Sequence, residues 1–390
     1  MKKVLLGMSG GVDSSVAAIL LLKQGYKVIG VTMRLWEEEK RLNESLLNNE
    51  GSRLMEKSNL KENTAIQDAK KVCENLEIEH HVVDLRQEFK EKVIDNFVCT
   101  YMCAKTPNPC VECNKYMKFD AFYRIAEEFG CEYIATGHYA RCYYSEKYNQ
   151  YVLAQAVSST KDQSYFLYGI DRKILPYVLF PLSEFEDKEE VRKIAEEYGM
   201  EIAHKKDSQE VCFIPDNDYI SFLKKQSLKE NGNSAITNIM TENKISINKS
   251  GNIVLGNGKV LGMHDGLINY TVGQRRGLGI AYKEPLYVVK LNRDRNEVIV
   301  GTEKELYTDT LFANELNFLI DMKELINKKS NNEIEIEAKI RYRAKPAKAT
   351  LNIEKNIAKL KFYEPQRAIT PGQSVVFYIN EVVLGGGKIM

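Results

Sequence analysis

The chain has 390 residues, of which 44% are hydrophobic and 28% are charged, and this length predicts two or three domains. The sequence contains no run of about 18 apolar residues and no apolar leader with a small-residue cleavage site. We therefore expect no membrane-spanning helix, no signal peptide and a cytoplasmic location. Lys and Arg total 55 against 54 for Asp and Glu, a net charge of +1. This balance neither indicates nor excludes a nucleic-acid partner, which requires a basic patch and not a basic total.

The first half of the chain alternates short apolar strands with amphipathic helices. The pattern predicts strands at residues 3–8, 27–33, 80–85 and 133–136, and helices at residues 14–23, 64–76, 117–130 and 188–198. This order is typical of an α/β fold with a doubly wound parallel sheet. Residues 37–63 are polar and predict a long insertion. Residues 141–156 predict a hairpin with its turn near residues 147–149.

The second half changes character. Residues 229–258 are rich in Asn, Ser, Gly and Lys and predict loops or a small central domain. Short strands follow at residues 286–291, 297–300, 333–342, 347–353, 358–362 and 374–379, which favours a C-terminal antiparallel β-barrel. We place the domains at residues 1–207, 208–284 and 285–390.

A glycine-rich loop follows the first strand and opens the first helix. It consists of Ser9, Gly10, Gly11, Val12, Asp13, Ser14 and Ser15. The two glycines let the backbone approach an anion, and the helix N-terminus offers free N–H groups and partial positive charge. Asp13 beside phosphates predicts a Mg²⁺ ion between them. The loop is not a Walker A motif; it resembles the loop of the PP-loop ATP pyrophosphatases, and this resemblance implies cleavage of ATP to AMP and pyrophosphate.

Eight cysteines in a long cytosolic chain favour thiol chemistry or metal binding over a disulfide scaffold. Cys110 and Cys113 lie in residues 106–114, where two prolines predict an extended or turned loop with exposed thiols. Cys212 lies in residues 208–214. The pair Cys110 and Cys113 is also compatible with half a zinc site, but the sequence shows no second pair. The remaining five are expected to be small buried side chains: Cys73, Cys99, Cys103, Cys131 and Cys142.

Taken together, these motifs resemble the bacterial tRNA-specific 2-thiouridylases of the MnmA type, which have an adenine nucleotide alpha hydrolase-like fold. The resemblance covers nearly the whole chain. The matching segments are residues 9–14, 106–114, 137–141, 161–166, 208–214, 270–277, 341–343 and 370–373.

The resemblance implies a tRNA-uridine 2-sulfurtransferase. ATP would adenylate the C2 oxygen of the wobble uridine with release of pyrophosphate. Cys212 would carry a persulfide whose outer sulfur reaches C2 and displaces AMP. Cys113 would be the nucleophile that acts on the persulfide and ends in a disulfide with Cys212. The implied partners are tRNA and a persulfide donor, either a cysteine desulfurase or a relay protein.

The same resemblance assigns binding residues, grouped here by ligand. The ATP site comprises Gly7, Met8, Ser9, Gly10, Gly11, Val12, Asp13, Ser14, Met33 and Gly137. The target base meets Asn108, Pro109 and Cys110. The tRNA contacts are His138, Lys161, Asp162, Gln163, Arg341, Tyr342 and Gln373.

Cys110 departs from the family pattern, in which many members have Asp at this position. Cys110, Cys113 and Cys212 together would offer three thiolates to a [4Fe–4S] cluster with one open iron site. The alternative is that Cys110 is a spare thiol beside a persulfide pair. The sequence alone leaves both open.

A basic run at residues 338–348 contains Lys339, Arg341 and Arg343 and no acidic residue. If residues 333–342 form a strand, these three share one face that could follow phosphates. The competing interpretation is an edge strand protected by charge. Arg275 and Arg276 add a second basic point. Two other functional classes stay possible from the residues alone: a PP-loop ligase acting on a small molecule, and a non-enzymatic RNA- or metal-binding protein.

Overall fold

The computed structural model describes residues 1–36, 64–204, 211–214, 218–229, 249–322, 325 and 333–390. The predicted 37–63 insertion lies outside these residues, as does most of the 229–258 segment. The described strands are β1 Lys3–Gly7, β2 Lys27–Arg34, β3 Glu79–Asp84, β4 Tyr133–Ala135, β5 Arg141–Ser145, β6 Gln150–Ala154, β7 Val178–Leu179, β8 Gly251–Leu255, β9 Val260–His264, β10 Tyr287–Asn292, β11 Glu297–Gly301, β12 Tyr307–Phe318, β13 Ile334–Lys339, β14 Ala347–Glu354, β15 Ile357–Arg367, β16 Ser374–Ile379 and β17 Val382–Ile389.

The described α-helices are α1 Val12–Lys23, α2 Thr64–Asn75, α3 Arg86–Phe89, α4 Asp95–Met102, α5 Pro109–Glu112, α6 Phe122–Glu128, α7 Lys188–Glu197 and α8 Tyr219–Lys229. Wider π-helical stretches join two pairs of them, Lys90–Ile94 between α3 and α4 and Cys113–Ala121 between α5 and α6. Short 3₁₀ turns occur at Ser164–Phe166, Arg172–Tyr177, Glu201–His204, Leu267–Asn269 and Glu303–Leu306. Among the described helices, none has the length and apolarity needed to cross a membrane.

The N-terminal sheet is parallel throughout, with the order β3-β2-β1-β4-β7 in the described chain. Its central strand β1 is apolar on both faces. Val4 and Leu6 pack in one core with α1, α2 and α7, whereas Leu5 packs in another with Phe119 and Phe122. Helices therefore cover both faces of the sheet, as a doubly wound fold requires. The prediction of this fold is confirmed. The strand order reverses at β1, and ligands of open α/β sheets generally bind beyond the carboxyl ends of the strands at such a reversal.

The C-terminal region forms a closed barrel. Its antiparallel order is β12-β15-β14-β13-β16-β17 over the residues with described positions, and β12 also pairs with β17. The predicted hairpin at residues 141–156 is confirmed as β5 and β6, and β6 adds to the barrel sheet through the pairing of Ala154 with Val382. The predicted barrel is therefore confirmed, with a hairpin from the N-terminal half attached to it.

The strands predicted at residues 286–291 and 297–300 exist as β10 and β11, but they do not pair with the barrel. They join β8 and β9 in a separate sheet of order β10-β11-β8-β9 within the described residues. Strand periodicity shows which face of a strand is buried but not which strands lie beside it. The sequence pattern therefore could not show that β10 and β11 belong to a sheet separate from the barrel. The domain boundaries themselves stay predictions.

The helix predicted at residues 117–130 begins earlier, at Pro109. Pro109 takes the first helical position, where its missing N–H and fixed φ are tolerated. The prediction that residues 106–114 form a loop is therefore wrong from Pro109 onward. As a consequence Cys110 and Cys113 lie three residues apart on one face of a helix.

Candidate active site

The glycine-rich loop lies at the carboxyl end of β1, beside the reversal of strand order. Gly10 has a φ of +68°, and a Cβ there would lie 2.4 Å from the Ala65 carbonyl oxygen. Ser14 Oγ donates to Gly11 O at 3.0 Å and accepts from Ser9 N–H at 3.3 Å. These bonds give the loop a fixed curvature in front of the α1 N-terminus, which suits an anion.

The other residues assigned to ATP by resemblance come to the same edge of the sheet. Met8 follows β1 and is buried, and Met33 lies near the end of the neighbouring strand β2. Gly137 follows β4, and a Cβ on it would lie 2.8 Å from the Asp13 carbonyl carbon and 2.9 Å from Ser14 N. Only a glycine lets this backbone pass so close to the loop.

Asp13 is held by two side chains that sequence reasoning did not select. Lys188 Nζ, from the first turn of α7, lies 2.9 Å from Asp13 Oδ2, and the Tyr139 hydroxyl donates to Asp13 Oδ1 at 2.9 Å. Both carboxylate oxygens are thus engaged, and the positive charge predicted beside Asp13 is supplied by an ammonium group. Each carboxylate oxygen accepts one contact and keeps a further lone pair, so the Mg²⁺ ion between Asp13 and the phosphates stays a prediction. A lysine in the first turn of a helix is unfavourable to the helix dipole, and this unusual position was the one indication in the sequence that Lys188 has an acidic partner.

The helix from Pro109 carries two of the three selected cysteines. Cys110 is exposed, whereas Cys113 is buried at 8% exposure. Asn108, just before the helix, has its side chain beside the Tyr165 hydroxyl, which donates to Ser374 O at 3.0 Å. Asn114, just after Cys113, donates to Phe166 O at 3.1 Å. The expectation that Cys113 is exposed is wrong, because it sits in a packed helix and not in a loop.

Cys212 reaches the same place from a turn anchored by aromatic packing. Its neighbour Phe213 is buried at 6% exposure, with ring centroids 5.6 Å from Phe89, 5.4 Å from Phe97 and 5.5 Å from Phe222. Phe213 and Cys113 belong to one apolar cluster. Cys212 itself stays exposed. Residues 208–210 of the selected motif lie outside the described residues.

The three thiols interact electrostatically. Burial raises the pKa of Cys212 to about 12, with further contributions from Cys113 and Cys110. Burial also raises the pKa of Cys113 and of Cys110. Cys110 and Cys212 keep surface open to solvent, yet the surrounding protein removes enough water to disfavour a thiolate. Three cysteines from segments about a hundred residues apart therefore share one site.

Lys118 is the cation of this site, and it too was missed. Its charge lowers the pKa of all three thiols, against the effect of burial. In the π-helical stretch Cys113–Ala121, residues five apart lie about one turn apart, so Lys118 follows Cys113 along the helix. Burial, and then Lys118, lower the pKa of His138. A Cys-x-x-x-x-Lys spacing gave no reason to select Lys118, because π-helical geometry cannot be read from a sequence.

The three thiols do not form a metal centre in this arrangement. Among the described residues, which include all three, no group of three His, Cys, Asp or Glu side chains is placed to hold a metal ion. The two prolines had predicted an extended or turned loop, whereas Cys110 and Cys113 lie on a helix that begins at Pro109. These residues do not fit the [4Fe–4S] hypothesis.

Comparison with known proteins decides the family. The chain is 43% identical over 390 residues to the tRNA-specific 2-thiouridylase MnmA of Clostridioides difficile (strain 630), covering 100% of this chain and 98% of that protein. It is 44% identical over 389 residues to the protein of the same name from Clostridium botulinum (strain Alaska E43 / Type E3), with the same coverage. The chain belongs to the tRNA-specific 2-thiouridylase family. The resemblance inferred from the motifs is thereby confirmed.

Family profiles divide this 2-thiouridylase-family chain into three parts. They are described as a tRNA methyl transferase HUP domain at residues 2–216, a tRNA methyl transferase PRC-barrel domain at residues 242–302, and an aminomethyltransferase beta-barrel domain at residues 308–389. Among solved structures, a 4-thiouridine synthetase–RNA complex with bound ATP is similar at 20% identity with a TM-score of 0.33, covering 62% of this chain and 53% of that chain.

Several residues that the family resemblance assigns to tRNA contacts are engaged within the protein. The buried Asp162 carboxylate accepts from the N–H groups of Ala156 and Ser164 at 3.1 Å each and from the Ser164 hydroxyl at 2.9 Å. Gln163 Oε1 accepts from Tyr139 N–H at 3.0 Å. Lys161 is half-buried. Gln163 thus holds the turn that follows His138, whereas Asp162 holds the backbone at Ala156 and Ser164.

His138 follows Gly137, whose backbone lies against the glycine-rich loop, and the charge of Lys118 acts on the His138 imidazole. Its Nδ1 is 2.7 Å from Thr136 Oγ1, and its ring packs near Phe119 and Phe180. Burial lowers its pKa well below the usual value, so the imidazole is neutral at pH 7. His138 can therefore offer a hydrogen bond to a ligand but not a charge.

The predicted basic strand face is wrong. β13 ends at Lys339, so Arg341 and Arg343 lie beyond it. Lys339 is 8% exposed with its ammonium over the Tyr342 ring, and Arg341 donates to Arg367 O at 2.6 Å. The Tyr342 and Phe166 rings pack in a tilted arrangement with centroids 4.5 Å apart. Arg343, Arg275 and Arg276 remain exposed.

Proposed function

We propose that this protein converts a wobble uridine of tRNA to 2-thiouridine, using ATP to activate the C2 oxygen and Cys212 and Cys113 to deliver the sulfur. The observation that carries the proposal is the convergence of Cys110, Cys113 and Cys212 beside Lys118. Membership of the 2-thiouridylase family supports it. The chemistry is sensible, because a uridine oxygen is a poor leaving group and AMP is a good one.

The glycine-rich loop is suited to the first half-reaction. The uridine C2 oxygen would attack the α-phosphorus of ATP, forming the C2–O–AMP bond and releasing pyrophosphate. The N–H groups at the start of α1 and the hydroxyl groups of Ser9 and Ser14 would hold the phosphates. Lys188 would offset the charge of Asp13 while the phosphates are bound. Gly137 and His138 connect this loop to the cysteine site.

The second half-reaction would use the cysteine pair. The outer sulfur of a Cys212 persulfide bonds to C2, the C2–O bond breaks, and AMP leaves. The Cys113 thiolate attacks the Cys212 Sγ, which breaks the persulfide bond and leaves a Cys113–Cys212 disulfide. A thiol reductant then restores both cysteines, and a persulfide donor such as a cysteine desulfurase or relay protein reloads Cys212. Cys110, Asn108 and Pro109, at the start of the helix, would line the base.

Thiolation of a tRNA transcript tests the proposal directly. Purified protein, ATP with Mg²⁺, a cysteine desulfurase with cysteine as the persulfide source, and a thiol reductant should yield 2-thiouridine, detected by mass spectrometry of the digested tRNA. Cys113→Ser and Cys212→Ser should reduce the product to background, because each removes one sulfur of the pair. Cys131→Ser, a half-buried cysteine after α6, is the matched control and should retain activity.

Pyrophosphate release separates the rival classes. We expect release from ATP that depends on tRNA and persists in Cys212→Ser, since adenylation precedes sulfur transfer. Release that depends instead on a small acceptor would favour a small-molecule ligase. Absence of release under every condition would contradict an ATP-dependent enzyme.

A further inference from the structure

The start of the cysteine helix is held by the C-terminal barrel on one side. The loop Thr370–Gln373, between β15 and β16, lies against residues 106–107. Thr106 N–H donates to Pro371 O at 2.9 Å. Gln373 Nε2 donates to Thr106 O at 3.2 Å and to Pro107 O at 2.9 Å. The two backbones are in direct contact here: a Cβ on Gly372 would lie 2.8 Å from Thr106 O.

A buried ion pair holds the same helix from a second side. Glu112, between Cys110 and Cys113, has a side chain only 8% exposed, and its carboxylate lies 3.1 Å from Lys388 Nζ on β17. Lys388 also pairs with Glu315 on β12 at 2.7 Å. A buried carboxylate needs such a partner, and removing the partner is strongly destabilising. The pair therefore fixes how the first helical turn is rotated relative to the barrel.

We propose that the barrel positions the cysteines through these two contacts, the bonds of Gln373 to residues 106–107 and the Lys388–Glu112 pair. Together they set where the helix begins and which way Cys110 and Cys113 face. Gln373 acts through the Thr106 and Pro107 carbonyls and is a positioning residue, in place of the direct tRNA contact assigned to it by resemblance. The expected effect on kcat rests on the proposed thiolation function, whereas the expected effect on Cys113 alkylation does not.

Gln373→Met tests the first contact, because it keeps the side-chain length and removes the N–H donors. We expect kcat for thiolation to fall by about tenfold or more, since small misplacements of reacting groups are expensive. The Kd for tRNA should change by less than about twofold, the pattern of a lost positioning effect. Alkylation of Cys113 by iodoacetamide, followed by peptide mass spectrometry, should become faster. Gln366→Met is the control, because Gln366 bonds only locally to Glu364 O at 2.8 Å.

Lys388→Met tests the second contact and should show the same pattern, with rescue by Lys388→Arg, which restores the charge. Lys361→Met is its control, since it breaks the exposed Lys361–Asp309 pair on the same barrel at 2.6 Å. If Lys388→Met does not fold, the comparison of Gln373→Met with Gln366→Met tests the proposal by itself. Gln373→Met with weaker tRNA binding and unchanged Cys113 alkylation would overturn the proposal in favour of a direct contact. If the wild-type protein does not thiolate tRNA, the proposed function is wrong. The Cys113 alkylation rates would still test whether the barrel positions the helix.

Discussion

At the scale of single residues, the site contains a conflict between burial and reactivity. Sulfur transfer needs a thiolate, yet burial raises the pKa of Cys110, Cys113 and Cys212. The resting thiols are therefore protonated at neutral pH, and Lys118 is the positive charge that opposes this effect. A site of this kind stays unreactive until a ligand or a persulfide changes its charge.

Lys118→Gln should make these thiols less reactive. Removing the positive charge raises the pKa of each thiol further, so alkylation of Cys113 and Cys212 at fixed pH should slow by about threefold or more. In both proteins the Cys212 rate should rise about tenfold per pH unit up to pH 9 without a plateau, because its pKa lies above that range. The measurement is the iodoacetamide rate at each cysteine by peptide mass spectrometry.

Lys115→Gln is the matched control for this substitution, because Lys115 lies on the same helical stretch with its ammonium over the Tyr116 ring at 4.7 Å. A second readout uses the opposite kind of group: the pKa of His138, followed by NMR, should rise in Lys118→Gln. Thiol rates equal to those of Lys115→Gln would contradict the role given to Lys118.

At the scale of elements, Phe213 explains how a short turn brings Cys212 to the helix. Phe213→Ala should cost about 3–5 kcal/mol of folding free energy, because it empties a packed aromatic site. Formation of the Cys113–Cys212 disulfide under mild oxidant should slow, since the turn loses its anchor. Urea unfolding and mass spectrometry measure the two effects.

Phe312→Ala, a phenylalanine 48% exposed on β12, serves as the comparison and should change neither quantity appreciably. If Phe213→Ala formed the disulfide as fast as Phe312→Ala, the anchoring role of the ring would be wrong. Loss of stability alone would then be its only contribution.

The elements also show why some strands were predictable and others were not. β14 alternates buried and less buried residues, β16 is an almost continuous apolar run, and both match their predicted positions closely. β17 was missed because it contains Gly385, Gly386 and Gly387, which weaken any strand signal. The same glycines are required by packing, since a Cβ on Gly386 would lie 2.5 Å from Val375 O and 2.7 Å from the Tyr168 ring. A close approach of this kind is a tertiary fact that no local pattern contains.

At the scale of the whole molecule, features formed by residues close together in the sequence could be predicted, and contacts between distant residues could not. The glycine-rich loop could be found because its residues are consecutive, and the fold class because strands and helices alternate. The contact of Lys188 with Asp13, 175 residues away, could not be predicted. Gln373 was selected by family motif, but its bond to Thr106, 267 residues away, could not be predicted either. The cysteines were selected by family motifs, but their helix and their cation emerged only in three dimensions.

The exposed arginines are better candidates for phosphate contacts than the basic strand face predicted at residues 333–342. Arg343 lies beyond β13, and Arg275 and Arg276 lie in a loop whose Gly273 approaches Ala368 next to the barrel. If this face follows phosphates, Arg343→Ala should lower the slope of log K against log salt by about 0.7–0.9. Arg341→Ala is a poorer test because the Arg341 guanidinium also donates to Arg367 O within the protein.

Titrations of tRNA at several salt concentrations give the slope. The charge-matched control is Lys23→Ala, which removes an exposed lysine beside Tyr198. Equal slopes for Arg343→Ala and Lys23→Ala would exclude this edge of the barrel from the tRNA surface, whereas a reduced slope with intact pyrophosphate release would separate tRNA binding from the chemistry at the loop.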